Sequence, residues 1–331
     1  MGPHNRSIQH SLATLARRQA LATVNPLLRK QQRDRAKRHL APLLGSAAED
    51  SYGFHTAAQI ALDDLRDILD ALDSTNPDPL LVKRLVDTAR DFERYVQEGL
   101  QKFPLNEHLL ALEADYHNVA DKYALAESAL QKAFDANPRQ DWVAIRLAKT
   151  LEKHGKPEQA KETLIRCLQD NPTSKRAHFE LANWYMSHGK HADKEMIFNH
   201  LRRSFTAKDQ NFDAQFWYAR EAFLLGKMSE ATQVFRALSN APTQMQLQVR
   251  GIITDEAGRT KLFVGEVITI EDGYMFVRCA DFADNIFIHR SRAGDVGWDE
   301  FSRTSKVVFT VGFNMRGPTG ASVSLQSRSR L

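Results

Sequence analysis

The feature that most constrains this chain is an internal repeat with a period of 34 residues. Four windows show it, and they begin at Glu107, Asp141, Lys175 and Phe212. The eighth position of every window is alanine, and these residues are Ala114, Ala148, Ala182 and Ala219. A unit of this length cannot bury an apolar face alone, so neighbouring units must stack on one another.

Other positions of the window describe two helices joined by a tight turn. Position 20 is small in three windows and position 24 is bulky in all four, as in Ala160 and Leu164. Three windows carry glycine at position 15, where a turn requires permissive backbone, and these residues are Gly155, Gly189 and Gly226. Pro138 and Pro172 stand at position 32, where proline prevents the second helix from continuing.

This combination of small, bulky and proline positions resembles the tetratricopeptide repeat. Two windows match well and two are degenerate, with Lys194 at a small position of the third. The resemblance implies an α-solenoid over residues 106–250, with a concave face that binds a peptide or a protein domain. A protein partner on that face is therefore expected.

The residues before the array are also predicted to be helical. Residues 51–105 contain an amphipathic capping helix and a degenerate earlier repeat. Residues 1–50 form a basic helical segment, with eight Lys or Arg between positions 17 and 38 against the single acid Asp34. The alternative is that this basic run is a solvated linker, or belongs to a domain further upstream.

The sequence pattern changes from period 3.6 to period 2 over residues 258–327. Five short alternating segments occur in this span, and an Asp272–Gly273 pair indicates a hairpin between the first two. Five strands in so short a span favour a small closed β-barrel.

Two of these strands separate aliphatic from aromatic residues. Tyr274, Phe276 and Arg278 share one parity, and Met275 and Val277 share the other. In the next strand, Phe287 and His289 alternate in the same way with Ile286 and Ile288. Because alternate residues face opposite sides of a strand, the rings are expected on one face of the barrel.

Residues 261–325 resemble the cold-shock domain, a small oligonucleotide-binding (OB) barrel. The matching segments are Asp272 to Val277 on the second strand, Ile286 to Arg290 on the third, and the Arg316-Gly317-Pro318 loop. The resemblance implies that bases of a single strand stack on Tyr274, Phe276, Phe287 and His289. It also implies that the neighbouring cations Arg278, Arg290 and Arg316 contact phosphates or bases.

The barrel departs from the family at several positions. Thr269 and Ile270 stand where the family has a Trp-Phe pair, and Arg290 replaces the last Phe of the third strand. These changes leave open an alternative in which the barrel is a degenerate spacer in a protein-interaction scaffold.

Composition and charge further restrict the partners and the location expected for this chain. The net charge of +4 permits an anionic partner without requiring one. Cys167 and Cys279 form no metal or redox pair, and no apolar run is long enough for a membrane span, so a cytoplasmic protein is expected.

Without a phosphate loop or metal-ligand spacing, the sequence predicts no enzyme, no cofactor and no metal site. The Arg33-x5-His39 spacing found in some ribonucleases is attributed to chance in so basic a stretch.

The sequence thus predicts a multidomain α-then-β chain, with a tetratricopeptide-like α-solenoid followed by a five-stranded OB or cold-shock barrel. The leading function is non-catalytic binding of single-stranded RNA or DNA, with the array docking a protein or a neighbouring domain. The alternative is a protein-interaction scaffold with a degenerate barrel, including the C-terminal sensor part of a prokaryotic signalling or defence assembly.

Overall fold

A computed structural model describes residues 3–45, 48–73, 75–189, 193–206, 209–294 and 297–326 of the chain. Residues 327–331, and with them the end of the predicted barrel segment, lie outside the described part. Internal contacts divide the chain into two units, Met1–Pro172 and Thr173–Leu331.

The first unit is built from consecutive helical hairpins. Its helices are α1 (Pro3–Ala22), α2 (Pro26–Leu40), α3 (Tyr52–Ala71), α4 (Pro79–Lys102), α5 (Glu107–Val119), α6 (Tyr123–Ala136), α7 (Asp141–Lys153) and α8 (Pro157–Asp170). Several begin at a side-chain cap, as at Asn106, whose Oδ1 accepts from the Leu109 N–H at 3.1 Å. Each helix packs closely against its sequence partner, so α1–α2, α3–α4, α5–α6 and α7–α8 are hairpins.

The basic N-terminal helices pack against a row of acids on α3. Arg17 bonds Asp63 at 2.8 Å, and Arg33 reaches both Asp64 and Asp67 at 2.7 Å. Arg33 is only 4% exposed. These arginines are therefore neutralised inside the unit and do not form a solvated basic face.

The repeat positions fall where the period requires. Ala114, Ala126, Ala148 and Ala160 are all buried, which lets the paired helices approach closely. Gly155 has φ +72° in the turn between α7 and α8, a left-handed conformation that glycine adopts at little cost.

The second unit contains two further hairpins and a barrel. Its helices are α9 (Lys175–His188), α10 (Lys194–Arg203), α11 (Phe212–Leu224), α12 (Met228–Ala237) and the short α13 (Thr243–Gln246). Its strands are β1 (Phe263–Ile270), β2 (Tyr274–Arg278), β3 (Ile286–His289), β4 (Lys306–Asn314) and β5 (Gly317–Leu325).

The third repeat differs from the others at its turn. Gly226 has φ +73° like its counterpart Gly155, but Gly189 has φ −73°, so the third repeat does not use a left-handed glycine at this position. Gly189 is instead constrained by space, because a Cβ would lie 2.3 Å from the Tyr185 carbonyl oxygen. The following helix α10 begins three positions late in the window.

The five strands close into a barrel in the order β1-β2-β3-β5-β4. Neighbouring strands are antiparallel except β3 and β5, which pair in parallel through Phe287 and Thr319. Aliphatic side chains fill the interior, including Val267, Val307 and Val311, each no more than 1% exposed. The predicted fold class, helical repeats followed by a five-stranded barrel, is confirmed.

The segment between the last helix and β1 belongs to the sheet. Arg250 bridges Phe313 of β4, and the Ile253 N–H donates to the Val311 carbonyl at 2.9 Å. At Gly312 a Cβ would lie 2.8 Å from Val249, so glycine lets the connector approach β4. This connector therefore fixes how the last hairpin and the barrel meet.

Candidate nucleic-acid interface

Three rings of β2 and β3 form a cluster on the outside of the barrel. Phe276 lies directly opposite Phe287, and Tyr274 lies opposite His289. The ring centroids of Tyr274 and Phe287 are 5.6 Å apart at an interplanar angle of 28°, whereas Phe276 meets each of the other two rings edge-on. We call the surface of Tyr274, Phe276, Phe287 and His289 the aromatic face.

The opposite parity of the same strands is fully inside the barrel. Met275, Val277 and Ile288 are 0% exposed and Ile286 is 2% exposed, whereas Tyr274 is 37% exposed. Burial of the aliphatic side chains fixes the register of β2 and β3, because a slip by one residue would exchange the two faces. The core therefore holds the rings outward.

His289 and Arg290 lie where β3 ends. The Ser291 N–H donates to Nδ1 of His289 at 3.2 Å, which orients the ring at the end of the strand. A 3-10 turn begins at Arg290, and its guanidinium donates to the Asp272 carbonyl oxygen at 3.4 Å. The end of the strand thus places Arg290 beside the β2–β3 hairpin turn despite its opposite parity.

A groove of about 670 Å³ runs along one side of the aromatic face. Phe276, Phe287 and His289 line it together with Arg316 and Arg292. Sequence reasoning missed Arg292, because it follows the strand and only the 3-10 turn carries it to the groove. We call this space the first groove.

The connector forms the far wall of the first groove. Leu247 and Val249 line it, and Leu247 is 63% exposed. No repeat or strand pattern marks these residues in the sequence. The wall depends on the pairing of the connector with β4.

Arg278 lies apart from the other candidate cations. It does not line the first groove, and its guanidinium lies 3.9 Å from the Glu266 carboxylate on β1. Lys306, 2.7 Å from the same carboxylate, holds the pKa of Glu266 below its ordinary value, with a smaller contribution from Arg278. Glu266 thus lies between two cations, and Arg278 has its ionic partner on β1 rather than in the first groove.

The β1 strand contributes no ring to the face. Thr269 lies directly opposite Phe276, beyond a register shift that follows Val267. The position next to Phe276 is therefore occupied by a small polar side chain.

The barrel packs against the last hairpin through other rings. Phe313 of β4 lies 5.4 Å from Phe223 and 6.2 Å from Phe235, and Phe223 also meets Phe282 at 6.1 Å. None of these four belongs to the aromatic face. The contact between helices and barrel thus leaves the face accessible.

The first helices of the hairpins in the first unit carry a second set of rings. His108 of α5 stacks on Trp142 of α7 with centroids 5.0 Å apart, and His55 of α3 meets His108 at 5.5 Å. Arg146 forms an ion pair with Asp115 across α7 and α5. This row offers stacking and charged contacts to a partner of the repeats.

The described residues contain neither a metal-binding cluster nor a membrane-spanning helix. Among them, no group of three or more His, Cys, Asp or Glu could hold a metal ion. His191, one of four histidines in the third repeat, is outside this part of the chain. No helix in the described ranges is long and apolar enough to cross a membrane.

Comparison with known proteins identifies the repeats. Residues 120–178 match the family model of the tetratricopeptide repeat. No curated protein matches the sequence significantly.

The solved structures that match parts of this chain are distant in sequence. PilF of Pseudomonas aeruginosa is 14% identical, with 70% of this chain and 92% of that one covered and a TM-score of 0.45. PilW, a widely conserved type IV pilus biogenesis factor, is 16% identical, with 54% and 74% covered and a TM-score of 0.35. YrrB, a TPR protein with an unusual peptide-binding site, is 14% identical, with 57% and 84% covered and a TM-score of 0.35.

The matched repeats, residues 120–178, are of a kind that mediates protein–protein interaction. The family match and the hairpins together show that the chain combines tetratricopeptide repeats with a closed five-stranded barrel consistent with an OB-like domain.

Proposed function

We propose that the barrel binds single-stranded nucleic acid, RNA or DNA, on the aromatic face, while the repeats bind a protein partner. The observation that carries the proposal is the cluster of Tyr274, Phe276 and Phe287 on the outside of the barrel. Rings that served only stability would be expected in the core or in the contact with the helices. These rings are in neither place.

The chemistry of the site suits unpaired bases. Every base presents a π-face, so stacking on rings contributes about 1–3 kcal/mol per base with little dependence on sequence. Paired bases in a duplex are already stacked and cannot reach a flat protein surface. Arg292 and Arg316 line the adjoining groove, where phosphates of a stacked strand would pass.

Charge alone would not hold the strand. Residues 259–331 contain ten Lys or Arg and eight Asp or Glu, a net charge of +2. The basic N-terminal helices offer no alternative site at Arg17 or Arg33, whose guanidinium groups are engaged by acids of α3. Stacking is therefore expected to dominate the affinity.

The test is a titration of labelled single-stranded and duplex oligonucleotides of equal length with the full chain. We expect binding of the single strands and weak binding of the duplex. The double change Phe276→Ala and Phe287→Ala should weaken single-strand binding by about 2–6 kcal/mol, because each ring would lose one stacked base. Tyr123→Ala, which removes an exposed ring of α6, is the matched control and should leave the affinity unchanged.

Equal affinity for single strands and duplex, or unchanged affinity in the folded double variant, would contradict the proposal. Circular dichroism of each variant separates loss of binding from loss of fold.

A second candidate function is a scaffold whose barrel no longer binds nucleic acid. It is favoured by Thr269, which places no ring opposite Phe276 on β1. In that case the wild-type chain would bind no oligonucleotide, and Trp142→Ala would reduce capture of the protein partner by the repeats.

A further inference from the structure

A second groove lies on the other side of the β4–β5 turn. It has a volume of about 530 Å³ and is formed by α11 and α12 on one side and residues 282–286 of the barrel on the other. Arg316 and Pro318 line both this space and the first groove. The two grooves therefore meet at the turn that carries Arg316.

The turn between the grooves is anchored on α12. Its Gly317 lies against the ring of Phe235, since a Cβ on Gly317 would be 3.8 Å from that ring. Phe235 also stacks on Phe313 of β4, with centroids 6.2 Å apart and planes within 8°. Met315, inside the turn, is 1% exposed, so the backbone that carries Arg316 is held in place.

The second groove has the same kinds of chemical groups as the first. Phe223 and Phe282 supply aromatic walls, and Met228, 44% exposed, supplies a polarisable apolar edge. Arg236 of α12 and the Asn285 amide add a cation and a hydrogen-bonding group. Its volume lies within the range of about 300–1,000 Å³ found for small-molecule sites, enough for a base with its sugar.

We infer that a bound single strand does not end on the aromatic face but passes Arg316 and continues into this second groove. Arg236 contacts a phosphate there, and a further base lies against Phe223 and Phe282. The last helical hairpin is then part of the nucleic-acid site, in addition to any protein it binds. This inference rests on the proposed function of the aromatic face.

Continuity and charge favour a nucleic-acid strand over a peptide in the second groove. The shared Arg316 gives a phosphodiester backbone a cation at the point where it would cross from one groove to the other. Arg236 supplies the next cation, while Asp284 is an acid on the same wall. The negative charge of Asp284 should therefore weaken binding of the continuing strand, so removing this charge should strengthen binding.

The experiment measures fluorescence anisotropy of labelled oligouridylates and oligothymidylates with the full chain. Lengths of about 4 and about 10 nucleotides bracket the lower part of the site sizes known for OB folds. Wild-type protein should bind the longer probes more tightly. Arg236→Gln should weaken the longer probes about two- to fivefold, as for an exposed ion pair, and leave the shorter ones unchanged.

Two further measurements distinguish the loss of one contact from misfolding, since either could weaken binding. Asp284→Asn should strengthen binding of the longer probes only, a gain that misfolding does not produce. Arg236→Gln should also reduce the slope of log affinity against log salt by about 0.7 for the longer probes, the value of one phosphate contact. Arg203→Gln, an exposed arginine of α10 that lines neither groove, is the matched control.

The results separate the inference from the function on which it rests. If both lengths bind equally, or Arg236→Gln and Asp284→Asn behave like Arg203→Gln, the second groove holds no nucleic acid and the aromatic face remains the whole site. If no probe binds at any length, both the proposed function and this inference are wrong.

Discussion

Thr269 is the residue at which the stacking surface of the barrel is incomplete. It lies opposite Phe276, and directly opposed residues of an antiparallel pair have their side chains on the same face. Thr269→Trp should therefore extend the aromatic face by one ring. We expect tighter binding of single strands by about 1–3 kcal/mol, measured by anisotropy against the wild type.

Ser324→Trp is the control for this substitution, because Ser324 is exposed on β5, where it lies opposite Val308 and lines neither groove. An equal gain from both variants would indicate nonspecific attraction to tryptophan. No gain from Thr269→Trp in a folded protein would count against stacking on this face.

Individual residues of the candidate site were predictable to different degrees. Parity alone places Tyr274, Phe276 and Phe287, because burial of the alternate side chains fixes a strand's faces. Arg292 and Leu247 were not predictable, because a 3-10 turn and an irregular connector position them through tertiary contacts. Arg278 shares the parity of the rings, but Glu266 on the neighbouring strand draws it away from the groove.

At the scale of elements, the helical hairpins depend on small residues where two helices cross. Ala160 on α8 is 0% exposed, as the repeat register requires. Ala160→Trp should destabilise the first unit by about 1–3 kcal/mol or more, because a large ring cannot fit there without moving the paired helix. Urea unfolding followed by circular dichroism at 222 nm would measure the loss.

Gln159→Trp introduces the same ring at the exposed neighbouring position and should have little effect. If the two variants had equal midpoints of unfolding, the assignment of Ala160 to the helix–helix contact would be wrong.

The elements themselves follow from the sequence where a period repeats many times. Helices α5 to α9 and α11 begin or end within a few residues of the predicted positions, because alanine, glycine and proline recur in register. The lengths of β4 and β5 could not be predicted from the sequence. The two strands pair with each other, and β4 also pairs with the connector, so both extend beyond their alternating segments.

At the scale of the whole molecule, stability should depend on pH through buried histidines in both units. In the first unit, burial, with smaller contributions from the neighbouring His108, Arg17 and His10, lowers the pKa of His55 to about 4. His55 is therefore neutral in the folded protein at pH values where an unfolded chain would bind a proton.

The second unit contains a comparable group. Burial lowers the pKa of His200 to about 4, with further contributions from His178 and Arg203. Nδ1 of His200 lies 2.9 Å from Nδ1 of His178, so one neutral ring donates to the other. A proton on His200 would place a positive charge beside the buried ring of His178.

The sign of the effect follows from proton counting. Between about pH 6.5 and pH 4 the unfolded chain binds protons at these histidines and the folded chain does not, so stability falls as the pH falls through this window. Carboxylates whose pKa is lowered by ion pairs, such as Asp67 beside Arg29 and Arg33, lose their contribution only at lower pH. The histidine window is therefore separate from ordinary acid unfolding.

Thermal unfolding between pH 7.5 and pH 4 should show this loss, and His55→Gln and His200→Gln should each reduce it. With allowance for partial exposure of both rings, we expect about 1–2 kcal/mol from each histidine at pH 4. The quantity to compare is the difference in unfolding free energy between variant and wild type at each pH. Burial raises the pKa of Asp115, so this carboxyl changes stability with the opposite sign as the pH falls, and the difference removes its contribution. If the two core variants lost stability with falling pH as steeply as the wild type, protonation of His55 and His200 would not control the acid stability of either unit.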